Sequence, residues 1–91
     1  MDKALRVRIY GRVQGVGFRY WAYRLAERFS VSGWVRNEPD GSASAECEGS
    51  PENVDAFVAR LRLGPPGSRV ERAETRDVPA EGRNSFTIEF T

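Results

Sequence analysis

From Ala4 to Tyr10 apolar and polar residues alternate. Leu5, Val7 and Ile9 fall on one side and Arg6, Arg8 and Tyr10 on the other. This period of two predicts a half-buried strand over residues 4–10. The period changes at Phe18. Phe18, Trp21, Ala22, Leu25, Ala26 and Phe29 recur at helical spacing, with Arg24, Glu27 and Arg28 outside the stripe, and predict a helix over 18–29. Residues 31–37 and 42–48 read as two further strands. Between them, Glu38-Pro39-Asp40-Gly41 signals a hairpin, because proline pre-sets one turn dihedral and glycine accepts positive φ. Ser50 is placed to cap a second helix, with Pro51 at its first position, Glu52 in its first turn and Val54, Phe57, Val58 and Leu61 as its stripe. Gly64-Pro65-Pro66-Gly67 stops it. Residues 69–77 form a fourth, heavily charged strand, and 79–83 a loop. Ser85 to Thr91 alternates again as a short closing strand, with Phe86, Ile88 and Phe90 on one face.

The predicted order is strand, helix, strand, strand, helix, strand, strand. That is the α+β, ferredoxin-like sandwich: two split βαβ units plus a short C-terminal strand, with two helices on one face of an antiparallel sheet. Residues 1–91 make a single domain, with no repeat or linker. The helix crossover makes strands 1 and 2 parallel, so their carboxyl ends share one edge of the sheet. The loop 11–18 leaves the end of strand 1, and Asn37 stands at the end of strand 2. The topology sets them facing each other across a small gap.

Composition narrows the chemistry. The chain carries no histidine, which excludes His-based acid–base catalysis and His-ligated metals. One cysteine, Cys47, excludes an internal disulfide and a Cys-rich zinc site. Fourteen Lys and Arg against thirteen Asp and Glu give a net charge of +1, too little field to imply bulk nucleic acid or an anionic membrane as partner. Any anion site must therefore be local. No apolar run approaches the roughly 20 residues of a membrane-spanning helix. Met1-Asp2-Lys3 leads directly into a strand pattern without a signal peptide. The expectation is a cytoplasmic monomer with no cofactor and no metal.

The loop Gln14-Gly15-Val16-Gly17-Phe18-Arg19 joins a strand to a helix N-terminus. Its two glycines let the backbone take positive φ and turn successive N–H groups inward. The helix adds its own unpaired N–H groups and the positive end of its dipole. Arg19, in the first turn, can reach back over this cradle with a guanidinium that grips two phosphate oxygens at once. Neither common nucleotide motif fits. The loop ends Gly-Phe-Arg rather than Gly-Lys-Ser/Thr, and Tyr20 stands where a dinucleotide fingerprint needs its third glycine. A glycine-rich turn of this kind can be only a turn; Arg19 beside it favours a site for a terminal phosphoryl group, bound by Gln14, Gly15, Val16, Gly17, Phe18 and Arg19. Asn37 can serve turn chemistry alone, but its placement opposite the loop suits an amide that accepts from a water and donates to a phosphate oxygen.

Gly11-Arg-Val-Gln-Gly-Val-Gly-Phe-Arg19, then Gly33-Trp-Val-Arg-Asn37 and Pro39-Asp-Gly41, resembles the acylphosphatase family. The resemblance runs along the whole chain, and both motifs are unbroken. It implies a ferredoxin-like fold and metal-free hydrolysis of small acyl phosphates to a carboxylate and inorganic phosphate. It further implies that Arg19 binds the phosphate, that the backbone of Gly15 to Arg19 cradles it, and that Asn37 positions the attacking water. The chemistry agrees with the missing histidine. Carboxylate is a good leaving group that needs no general acid, and phosphoryl transfer is mostly positioning and charge stabilisation.

Two other functions share this element order. An RNA-binding module stacks bases on aromatics of its central strands. Here Ser42 to Glu48 offers no aromatic and two carboxylates, so that face is expected to repel RNA. A non-catalytic domain of the same fold is the other alternative, and the intact Arg19 and Asn37 argue for a free-standing enzyme. Cys47, Trp21 and Trp34 are read as core, and Arg12, Arg24 and Arg36 as solvated surface. Tyr20 and Tyr23 are placed at the mouth of the site.

Overall fold

A computed structural model describes residues 1–90. Seven elements follow one another: β1 (Lys3–Arg12), α1 (Phe18–Arg28), β2 (Ser32–Asn37), β3 (Ala43–Gly49), α2 (Pro51–Leu63), β4 (Arg69–Asp77) and β5 (Phe86–Glu89). The strands form one sheet in the order β4-β1-β3-β2-β5. The alternation in β1 works as expected: Leu5, Val7 and Ile9 are buried, while Arg6, Arg8 and Tyr10 stand on the opposite face. The stripes of both helices meet the buried face of the sheet in one apolar cluster that includes Phe18, Leu25, Phe57 and Leu61. Cys47 belongs to that cluster and is fully buried.

The ends of the second helix are set by local chemistry. The Ser50 hydroxyl accepts from the Asn53 N–H at 3.3 Å, Pro51 occupies the first turn, and Gly64 terminates the helix with φ of 74°.

Two expectations are corrected. The sheet is mixed rather than antiparallel, because β5 pairs parallel with β2, Gly33 opposite Phe86 and Val35 opposite Ile88. The cause is topological. β4 lies at one edge beside β1, so the chain must cross to the other edge before β5 can pair. The crossing segment is pinned on the face away from the helices. There the Glu48 carboxylate accepts from the backbone N–H groups of Glu81, Gly82 and Arg83 at 3.0, 2.7 and 3.2 Å. Trp34 is also not core. The alternation of β2 turns Val35 inward and Trp34 outward, where the guanidinium carbons of Arg6 and Arg36 lie 4.9 and 4.5 Å from its ring centroid. Trp21 is half-buried and does pack on the core.

The face away from the helices is ion-paired rather than acidic. Glu46 takes Arg6 at 3.0 Å and Arg83 at 2.8 Å, and Arg83 also reaches Glu48 at 3.3 Å. Repulsion of RNA by bare carboxylates is therefore not the right description of this surface. Its two aromatics, Tyr10 and Trp34, already stack against arginines.

Candidate active site

β3 lies between β1 and β2, so β1 and β2 run parallel without touching. Their carboxyl ends fall on one edge of the sheet, as the sequence predicts. The loop after β1 and Asn37 at the end of β2 line the same cleft, about 250 Å³ in volume. Gly15, Gly17, Phe18 and Arg19 form one side of it and Asn37 another.

The loop takes its shape from Gly15 and Gly17, at φ of 73° and 77°. A Cβ there would meet no atom within 4 Å, so glycine is favoured by backbone conformation and not by space. Gly17 is the cap residue of α1 and no side chain caps the helix; the first backbone bond runs from the Trp21 N–H to the Gly17 carbonyl at 3.0 Å. The leading N–H groups therefore have no intrahelical acceptor, and the first turn contains no acidic residue to compete for them. This end of α1 is suited to an anion.

Arg19 is half-buried and fixed from an unexpected direction. Its Nη1 donates to the Glu89 carbonyl at 3.4 Å, and its guanidinium carbon lies 4.7 Å from the centroid of Phe90. The Glu89 carboxylate is drawn away to Arg36 at 3.6 Å. Among the described residues no carboxylate pairs with Arg19, and its side chain lines the cleft.

Asn37 Oδ1 is buried and has no hydrogen-bond partner among the described residues. An unpaired buried acceptor is costly in a folded protein and marks a group held for something else. The neighbouring Glu38 does not line the cleft. Hydrogen bonds from the Ser44 hydroxyl first, then from Arg36 Nε at 2.9 Å, hold its carboxyl below the ordinary range. Its carboxylate is engaged by these two partners and is not offered to the cleft as a base.

The remaining candidates divide. Gln14 does not offer its side chain to the cleft: Nε2 donates to the carbonyls of Glu38 and Ser42 at 2.8 and 3.0 Å. Val16 packs against the core cluster. Tyr20 lines the cleft mouth, whereas Tyr23 stacks on Tyr20 at 6.3 Å and lies outside it. Val13, Ile88 and Phe90 complete the wall and were not singled out from the sequence. For Ile88 and Phe90 the signal is the alternation of residues 86–90, but it does not say which strand β5 joins. Among the described residues no helix is long and apolar enough to cross a membrane, and no three His, Cys, Asp or Glu are grouped to hold a metal ion.

The fold and the cleft define a ferredoxin-like α+β protein with a glycine-shaped loop and an uncapped helix start at the carboxyl edge of its sheet. The acylphosphatase family model matches residues 5–88. An acylphosphatase from Nocardioides sp. is 49% identical over 88 residues, covering 97% of this chain and 89% of its own. The crystal structure of acylphosphatase from Bacillus subtilis superimposes with a TM-score of 0.93 at 34% identity, covering 99% of this chain and all of that one. Full-length HypF, in a phosphate- and nucleotide-bound form, matches with a TM-score of 0.87 at 27% identity; this chain covers 12% of it. The chain belongs to the acylphosphatase family and is an enzyme of that kind.

Proposed function

We propose that residues 1–91 act as a single domain that hydrolyses small acyl phosphates without a metal or cofactor, by positioning and charge stabilisation alone. The phosphoryl oxygens lie against the backbone N–H groups of the 14–19 loop, and Arg19 grips two of them as charge builds up. Gln14 takes part through its main chain only, its carboxamide being tied to the hairpin. Asn37 Oδ1 accepts a hydrogen bond from the attacking water and sets it in line with phosphorus. The water's oxygen bonds to phosphorus as the carboxylate leaves with the electron pair of the broken P–O bond, and one water proton passes to a phosphoryl oxygen, giving a carboxylate and dihydrogen phosphate. The unpaired Oδ1 of Asn37, buried beside an uncapped helix start, carries this reading.

A balanced surface of net charge +1 and one buried, unpaired thiol support a cytoplasmic monomer. Phosphate release from a generic acyl phosphate tests the whole. The rate should be indifferent to EDTA, inorganic phosphate should compete with substrate, and Arg19→Lys should lose most activity because a point charge cannot reproduce the fork. Chelator-sensitive turnover, or near-native turnover of the lysine variant, would contradict the mechanism.

A further inference from the structure

We propose that Gln14 is a positioning residue that sets the distance between the phosphate cradle and the water held by Asn37. The inference deepens the functional reading above and rests on it. Because β3 separates β1 from β2, no strand pairing connects the cradle directly to the strand end that carries Asn37. Two strand spacings amount to about 9–10 Å, a gap that loop motion could widen or close.

Gln14 bridges that gap with one amide group. Its Nε2 donates at 2.8 Å to the carbonyl of Glu38, the residue after Asn37, and at 3.0 Å to the carbonyl of Ser42. Ser42 precedes Ala43, which pairs with Asn37 across the hairpin. The turn is itself closed between the same residues, the Glu38 N–H donating to the Ser42 carbonyl at 2.8 Å. Gln14 thus holds both arms of the hairpin where Asn37 leaves the ladder, and Gly15 of the cradle follows it directly in the chain. Both amide hydrogens are used, so glutamine is needed as a double donor. Glutamate, of the same size, would set an acceptor against two carbonyl oxygens.

A lost tether would leave the phosphate bound but the water misplaced. In-line geometry is sensitive at the ångström scale, so Gln14→Met and Gln14→Glu should each lower kcat by about 10-fold or more. KM and the inhibition constant of inorganic phosphate should change far less, since Arg19 and the cradle backbone remain. The experiment measures kcat, KM and phosphate inhibition for both Gln14 variants, for Asn37→Ala, and for Gln14→Met combined with Asn37→Ala, with a thermal melt of each. In the combined variant kcat should match Asn37→Ala within about twofold, because there is no longer a positioned water to misplace.

Multiplicative losses, or phosphate affinity falling together with kcat, would overturn the proposal. So would unchanged kcat, or failure of both single Gln14 variants to fold, which would make the tether a folding determinant. If Asn37→Ala itself keeps kcat, the water-positioning reading fails first and takes this inference with it. If Asn37→Ala loses kcat while Gln14 is indifferent, only this inference fails.

Discussion

Arg19 and Phe90 come from opposite ends of the chain and stack at the mouth of the cleft, guanidinium carbon to ring centroid 4.7 Å. Phe90 is 78% exposed, so it is not there to fill the core. It supports a cation whose other anchor, the Glu89 carbonyl, is a single bond of 3.4 Å.

Phe90→Ala should therefore act through Arg19. An exposed cation–π contact is worth about 0.5–1 kcal/mol, equivalent to roughly 2- to 5-fold in affinity. KM and the phosphate inhibition constant should both rise by that factor, with little change in Tm. Steady-state kinetics and a thermal melt check this. A large loss of Tm with unchanged KM would make Phe90 a packing residue.

Glu48 predicts an acid-labile strap. The N–H of Glu81, followed by those of Gly82 and Arg83 and by the charge of Arg83, holds its carboxyl below the ordinary value of 4.5, against the burial that raises it. A depressed folded-state pKa contributes stability that is complete above the unfolded value and is lost as pH falls through the folded one. Glu48→Gln should cost about 1–3 kcal/mol at pH 7, leaving the N–H groups of Glu81, Gly82 and Arg83 without a charged acceptor. The gap to wild type should close progressively below the ordinary value. Melts from pH 7 to pH 3 read it; a gap constant over that range would contradict the assignment.

Cys47 should be inert in the native protein. It is fully buried on β3, and burial pushes its thiol up to about 12, so almost no thiolate exists at neutral pH. Labelling by a thiol reagent should follow global unfolding, fast in denaturant and slow without it. Prompt stoichiometric labelling of folded protein would show a mobile β3.

Local pattern carried most of the fold. Period two in β1, the helical stripes and the Ser50-Pro51 start are written in neighbouring residues, and the observed bounds differ from the expected ones by no more than two positions. The facing of the 14–19 loop and Asn37 was legible too, because a βαβ crossover fixes strand direction. What escaped depends on distant pairing. Nothing between Ser85 and Phe90 states that β5 joins β2 in parallel, so Ile88 and Phe90 as cleft wall were invisible. Trp34 looked like core because size and apolarity say so, yet the alternation of β2 and two arginines hold it outside. Gln14 read as a phosphate ligand from its place in the loop. Its actual acceptors are backbone carbonyls, which carry no sequence signature.

The central claim is a division of roles, in which Arg19 and the cradle bind while Asn37 positions. The most direct measurement sets kcat beside the inhibition constant of inorganic phosphate for Asn37→Ala. The account predicts a kcat lowered by about 100-fold or more with phosphate affinity changed only slightly, in a protein whose melt resembles wild type. A variant that keeps kcat while phosphate affinity collapses would make Asn37 a binding residue and contradict the mechanism.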